Sequence, residues 1–330
     1  MKTDKIRVSI GSAIVLGLIK GMITAEPTTA YLLTYTEGRC SANCAFCPQA
    51  RKSTARADML SRVMWPDFKF TNVIEGIRKS FESGRIKRVC IQTLNYPGVQ
   101  NDIINLAAKI SSECNIPISI SCQPLAPKEM TMLAKVGVER ISIALDAVTK
   151  EIFSKIKGEM AGGPYNWDQH FGALKAALEI FGRGKVTTHL IVGLGESEEE
   201  FISMVQRCVD AGIFPAVFAF TPIQGTKMAN HPKPPIESYR RIQVAHYLIV
   251  REIRRYEDMK FKDGQLINFG VSSNELERII FSGEPFLTSG CPNCNRPYYN
   301  EEPKGPIYNY PRKLTQEEIE SIWKQMSMVL

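Results

Sequence analysis

The chain has 330 residues, 44% of them hydrophobic and 23% charged, a composition that excludes a disordered chain, a collagen and a polytopic membrane protein. Its net charge of +7, from 41 Lys+Arg against 34 Asp+Glu, favours an acidic partner or an anionic substrate and is too diffuse to imply nucleic acid. Nine cysteines, an odd number with no small disulfide-dense domain around them, point to a reducing, cytoplasmic setting where thiolates hold metal or stay free.

In chain order, the first apolar stretch runs from Val8 to Met22 after a basic start. It has the outline of a signal peptide, but Lys20 interrupts it and no small-x-small site closes it. Ile14, Val15, Leu18, Ile19 and Met22 recur at helical spacing, so an amphipathic helix packed on the fold is expected, forming an N-terminal cap over residues 1–29. At about 15 residues the segment is short for a membrane span, and no membrane partner is expected. From residue 30, β-rich runs alternate with helical patterns. Strands are predicted at Tyr31–Thr36, Ile86–Thr93, Pro117–Gln123, Val138–Leu145, Lys185–Leu194, Pro215–Thr221 and Gln265–Val271. Between them lie helical stripes such as Phe70, Val73, Ile74, Ile77 and Phe81, or Ile242, Ala245, His246, Ile249 and Ile253. This rhythm predicts an α/β fold, a complete or nearly complete (β/α) TIM-type barrel over residues 30–287. The rival, a doubly wound open sheet, usually carries a Gly-rich turn after its first strand, and here that turn holds Glu37, Gly38, Arg39 and Cys40. His231–Pro235 reads as a loop. Residues 288–330 form an extension, extended over Asn300–Arg312 and closing in a helix, Thr315–Met328, that opens with a Thr315/Glu318 capping box.

The chemistry concentrates in Cys40, Cys44 and Cys47, a C-x3-C-x2-C run in the loop after the first barrel strand, where barrel enzymes place their reactive groups. Three thiolates within eight residues suit three corners of a cubane iron–sulfur cluster and leave its fourth iron open to a small chelating molecule. A zinc knuckle would want a fourth ligand nearby, whereas the next cysteine is Cys90 and the first histidine is His170. The motif, with Phe46 just before its last cysteine, resembles the radical S-adenosylmethionine superfamily. The resemblance implies a [4Fe–4S] cluster that binds S-adenosylmethionine at the open iron and cleaves it reductively, giving a radical that abstracts hydrogen from an unactivated carbon. It also places Phe46 beside the adenine.

The continuation Cys47-Pro48-Gln49-Ala50 is similar to the biotin synthase branch. Leu190–Glu196 (LIVGLGE), Ile143–Thr149 and Thr221–Thr226 (TPIQGT) resemble that branch's fifth-strand, fourth-strand and sixth-strand segments. By this resemblance Asp146 touches the ribose, Ile191 faces the adenine, and the backbone at Thr93 grips the methionine amino group; core or strand-end packing is the plainer reading of each. Biotin synthase holds a second cluster with cysteines on its second, third and fifth strands and an arginine. Cys90 and Cys122 stand at the first two places, but Thr187 stands at the third. His189 replaces a glycine on the same strand face as Thr187 and is the candidate catalytic residue, or else a hydrogen-bonded core histidine.

Cys291 and Cys294 lie in the turn-rich TSGCPNCNRPYY, half of a metal site. A segment leaving the last βα unit is expected at the barrel mouth, where the pair, with Cys90 and Cys122, could hold an auxiliary iron–sulfur cluster; a zinc half-knuckle is the alternative. Cys114 and Cys208 fall on helical patterns and read as buried. The tail resembles one subunit of a two-component lipoyl synthase. This resemblance implies sulfur insertion at C6 and C8 of a carrier-bound octanoyl group. The implied partners are a second radical S-adenosylmethionine subunit, an octanoylated lipoyl-domain or glycine-cleavage H protein, and an electron donor such as ferredoxin. A biotin synthase-like mutase or maturase acting without sulfur transfer is the other enzyme reading, and a non-catalytic scaffold the third. Arg51, Lys52 and Arg56 would suit an acidic carrier, though surface solubility explains them equally.

Overall fold

The computed structural model describes residues 4–327. Its strands are β1 (Lys5–Val8), β2 (Thr29–Leu33), the two-residue β3 (Met59–Leu60) and β4 (Val63–Met64), and β5 (Asp67–Lys69). After these come β6 (Arg88–Gln92), β7 (Ile118–Cys122), β8 (Val138–Ile143), β9 (Val186–Val192), β10 (Phe214–Ala219), β11 (Lys260–Lys262) and β12 (Gln265–Asn268). The main sheet runs β10-β9-β8-β7-β6-β2-β1-β5. Six strands, β2 and β6 to β10, are parallel, each followed by helical chain that returns across the outer face. β1 and β5 extend the sheet antiparallel. The result is a barrel-like (β/α) fold of six parallel strands, its wall left open between β10 and the β1/β5 edge.

Strand parity decides what faces where. Side chains alternate along a strand, so Ala30, Leu32, Val89, Ile91, Ile118, Ile120, Ile141, Ile143, Leu190 and Val192 join the large core against the helices. The opposite face of the same strands carries Tyr31, Cys90, Gln92, Ser119, Ser121, Ser142, Thr187, His189 and Ile191, and it lines an interior cavity. The parallel register sets Tyr31 beside Cys90 and Cys90 beside Ser119. Outside, the helix Phe70–Glu82 buries Phe70, Val73 and Ile77 as its stripe requires. The helix Glu198–Asp210 begins with a capping box of Ser197 and Glu200 and anchors the helix Ile236–Val250 through a buried Arg241–Glu198 pair at 2.6 Å.

Two expectations change. The N-terminal segment is a strand, β1, followed by one short helix, Ile10–Val15; Met22 is 99% exposed, so the apolar run is shared between sheet edge and helix and does not form one long amphipathic helix. The predicted strand Gln265–Val271 is in part β12, paired only with β11 in a separate hairpin outside the barrel. The final helix is Gln316–Ser327, with Thr315 and Glu318 exchanging the two capping hydrogen bonds; Met328 lies outside the described residues. Among the described residues no helix is long and apolar enough to cross a membrane.

Candidate active site

The Cys40 loop follows β2 at the carboxyl ends of the parallel strands. It is shaped by its own backbone: Cys47 N–H donates to Cys44 O at 3.1 Å and Cys40 N–H to Gln49 O at 3.1 Å. Neighbouring loops hold it in place, with Ser41 N–H on Asn95 O, Ala45 N–H on Ile156 O and Thr54 N–H on Gly225 O. Asn95 N–H in turn donates to Cys40 Sγ at 3.1 Å. The last of these docking points explains the TPIQGT turn. Gly225 has φ +84°, and a Cβ there would stand 2.8 Å from the Thr54 carbonyl carbon, so only glycine lets that turn touch the cysteine loop. Burial pushes the Cys44 thiol well up and the Cys47 thiol to about 12, with the neighbouring cysteines adding to each. Soft, mutually close sulfur donors on a preformed loop fit a [4Fe–4S] cluster, whose binding would release their protons.

Most of the other residues that the resemblance points to lie together. Phe46, Cys47, Asp146, His189 and Ile191 all line the one interior cavity. Asp146 adopts φ +66° and bridges β8 to β9 beyond their ladder: its N–H donates to His189 O and its carbonyl accepts from Ile191 N–H, both at 2.8 Å. The LIVGLGE motif serves the turn itself, as Glu196 accepts from the N–H groups of Gly193 and Leu194. Thr93 does not line the cavity; it donates its N–H to Ser121 O, and its neighbour Gln92 faces inward. His189 packs against Phe218 with ring centroids 4.7 Å apart. Burial lowers its pKa to about 4, partly opposed by Asp146, so a neutral imidazole faces the cavity.

Cys291 and Cys294 reach this cavity by a route opposite to the expected one. The cysteine pair does not sit where the extension meets the mouth. The extension enters at the amino ends of the strands, where Arg88 Nε donates to Pro292 O at 3.3 Å and Ser119 Oγ donates to Cys291 Sγ at 3.7 Å. It then climbs the open side of the barrel. Tyr31 Oη and Cys294 Sγ are 3.3 Å apart, and Arg296 N–H donates to Tyr31 Oη at 2.9 Å. At the top Ser61 and Thr221 hydroxyls donate to the carbonyls of Tyr299 and Asn300. The physical reason is the missing wall: β10 leaves an unpaired edge, whose Val217 N–H donates to Ser289 Oγ at 2.8 Å, and the extension fills the gap.

Cys90, Cys291 and Cys294 therefore converge in the cavity, and burial together with the other sulfurs raises the Cys90 thiol well above its usual range. Cys122 does not join them. It is even-numbered on a strand whose odd residues face inward, so its side chain lies in the helix-side core, where burial pushes its thiol to about 12; Ser119 takes the inward place nearest Cys291. Cys208 is buried as expected, whereas Cys114 is only half-buried, at the end of the helix Val99–Glu113. Of the basic residues beyond the loop, Arg56 is paired with Asp58 at 2.7 Å, while Arg51 and Lys52 are exposed. Among the described residues no three His, Cys, Asp or Glu side chains are close enough to hold a single metal ion; the thiolates around a cubane stand farther apart than the ligands of one ion.

Reading from spacing missed four groups. Arg296 stacks on Phe218 at 3.9 Å and lines the cavity two positions after Cys294. Arg88, also inward on β6, joins Ser119 Oγ at 2.9 Å and Glu139 at 2.7 Å. Tyr31 was legible only as strand, and Lys157 was not singled out. Alternation of Arg88, Cys90 and Gln92 along one strand was the available signal for a polar interior.

The sequence matches the profile of the Radical SAM superfamily over residues 35–208, just over half of the chain. It is 26% identical over 227 residues to a biotin synthase of Clostridium acetobutylicum, covering 66% of this chain and 65% of that protein. It is 24% identical over 206 residues to a GTP 3',8-cyclase of Petrotoga mobilis, covering 61% and 58%. The chain thus spans a little under two thirds of these relatives' length. Among solved structures, methylornithine synthase superposes with a TM-score of 0.52 at 13% identity, covering 69% of this chain and 64% of that one. The FeFe-hydrogenase maturase of Carboxydothermus hydrogenoformans gives 0.52 at 19% identity, covering 67% and 51%; both likenesses concern the fold. The cysteine loop on a partial barrel and the match across that barrel agree: the chain belongs to the radical S-adenosylmethionine superfamily, in its biotin synthase-like branch.

Proposed function

We propose that the chain is a sulfur-inserting subunit of a two-component lipoyl synthase, which inserts sulfur at C6 and C8 of an octanoyl group on a carrier protein. One observation carries this reading: Cys90, Cys291 and Cys294 line the same cavity as Cys47, Phe46 and Asp146. The [4Fe–4S] cluster that Cys40, Cys44 and Cys47 would hold supplies, when bound, the electron for reductive cleavage of S-adenosylmethionine and so for hydrogen abstraction. A second iron–sulfur cluster on the other three cysteines would be the sulfide source. The chain's own groups set the remaining conditions. Phe46 and Ile191 offer apolar surface to the adenine, and Asp146 offers acceptors to the ribose. Neutral His189 and the Arg296–Phe218 stack line the cavity that both cysteine sets face, where an acyl chain would lie shielded from water. Exposed Arg51 and Lys52 would meet an acidic lipoyl-domain or H-protein carrier, and the second radical S-adenosylmethionine subunit and a ferredoxin-type donor complete the system.

The test is anaerobic incubation of the reconstituted protein with an octanoylated carrier peptide, with and without the second subunit, read by mass spectrometry. A mass gain from sulfur that requires this chain supports the proposal. No gain in any combination, with S-adenosylmethionine still cleaved, would instead favour a mutase or maturase without sulfur transfer, the reading that Thr187 supports by standing where biotin synthase has a cysteine.

A further inference from the structure

Lys157 is the most completely buried cation near the cysteine loop. It caps the helix Lys150–Ile156, and none of its surface is exposed. Its ammonium pairs with Asp146 Oδ2 at 2.6 Å, donates to the Ala144 carbonyl and lies over the rings of Tyr165 and Phe153 at 5.4 and 5.9 Å. Burying an ammonium is costly unless it is paired, and this pocket gives it one carboxylate, one carbonyl and two aromatic faces. Two further contacts give its position a meaning. The residue before it, Ile156, accepts a hydrogen bond from Ala45 N–H of the cysteine loop at 2.6 Å. Four residues after it, Ala161 accepts a hydrogen bond from Nδ2 of Asn43, the neighbour of Cys44, at 2.7 Å. Asp146, its partner, lines the cavity on a left-handed backbone that leaves the carboxylate little freedom.

We propose that Lys157 is a positioning residue with two linked tasks: it holds the Asp146 carboxylate in place for the nucleoside, and it offsets the charge of that carboxylate at the cluster held by Cys40, Cys44 and Cys47. Reduction adds a negative charge to a cluster, and nearby charge tunes its potential. A cation near the cluster eases reduction, a carboxylate near it opposes reduction, and as a pair they nearly cancel. Removing either partner unmasks the other, so the two removals act in opposite directions.

The experiment uses the anaerobically reconstituted full chain at matched iron content. The midpoint potential of the S-adenosylmethionine-binding cluster is followed by redox titration, and binding of radiolabelled S-adenosylmethionine to the oxidised protein by equilibrium dialysis. Lys157→Met should move the potential to more negative values, Asp146→Asn to more positive values, and the double variant back toward the parent. Each single variant should bind about tenfold more weakly, the loss of one charge-assisted contact. A simple packing role would not produce shifts of opposite sign. Parental potential and affinity in Lys157→Met, or shifts of the same sign in the two single variants, would overturn the proposal. Should Lys157→Met not take up a cluster, Asp146→Asn decides alone: a positive shift with weaker binding supports the proposal, and the absence of either overturns it.

Discussion

The two cysteine sets face one cavity but are built in different ways. Cys40, Cys44 and Cys47 come from a single loop whose turns are closed by its own backbone. Cys90, Cys291 and Cys294 come from a barrel strand and from an extension that crosses the molecule; the contact between Ser119 and Cys291 joins residues 172 positions apart. A local set depends on residue spacing, whereas a distributed set depends on strand parity and on where an edge has been left open. The first set is shaped by one loop that neighbouring barrel loops hold in place, whereas the second exists only where residues 288–301 fill the gap beside β10.

The largest test of this contrast removes cysteines from each set in turn. Cys40→Ala should abolish reductive cleavage of S-adenosylmethionine, measured as 5′-deoxyadenosine, to background. A Cys291→Ala/Cys294→Ala double variant should keep that cleavage within about threefold while its iron falls from about eight to about four per chain, as one of two [4Fe–4S] clusters is lost. If the double variant keeps the parental iron content, the second set is structural and the contrast collapses.

The same contrast explains what could be read in advance. The cysteine loop, Phe46, Asp146, His189 and Ile191 were legible because each belongs to a short contiguous motif. The outward helix stripes were legible because burial imposes their period. Cys122 was misplaced because matching it to a strand position ignored parity; the odd and even residues of β7 face different worlds. The strand at Gln265–Val271 was assigned to the barrel because its apolar pattern is identical for a hairpin and a barrel strand, and only tertiary pairing separates them. The path of the extension was hidden for a related reason: nothing within TSGCPNCNRPYY states that an open sheet edge will receive it. Lys157 was invisible because a lysine closing a helix normally lies in solvent.

A middle-sized effect concerns the imidazole in the cavity that both sets face. Burial holds His189 to a pKa of about 4, and His170 and His246 are likewise lowered, to about 3 and 4. An unfolded histidine titrates near 6.5, so below that pH the unfolded chain binds protons that the folded chain refuses. Stability is therefore fully present above about pH 6.5 and is lost as pH falls toward 4. The melting temperature should fall steadily from pH 7 to pH 5, and His189→Phe should flatten the fall by removing one of the three contributors. An unchanged slope in that variant would show that His189 is not held neutral, and would remove it from the role of uncharged neighbour to both sets.

The smallest effect probes how firmly the second set is tied to the first strand. Tyr31 Oη meets Cys294 Sγ at 3.3 Å and receives Arg296 N–H at 2.9 Å, so Tyr31→Phe keeps the ring but deprives a buried N–H of its acceptor. The expected cost is about 1 kcal/mol, read from denaturant unfolding of the cluster-free protein. Because among the described residues no hydrogen bond joins the first set to either partner of this bond, the cleavage of S-adenosylmethionine by the reconstituted variant should stay at the parental rate, whereas amide exchange in residues 291–296 should quicken. Faster exchange in the Cys40 loop as well would mean that the two sets open together, and the local set would then owe its stability to the distributed one.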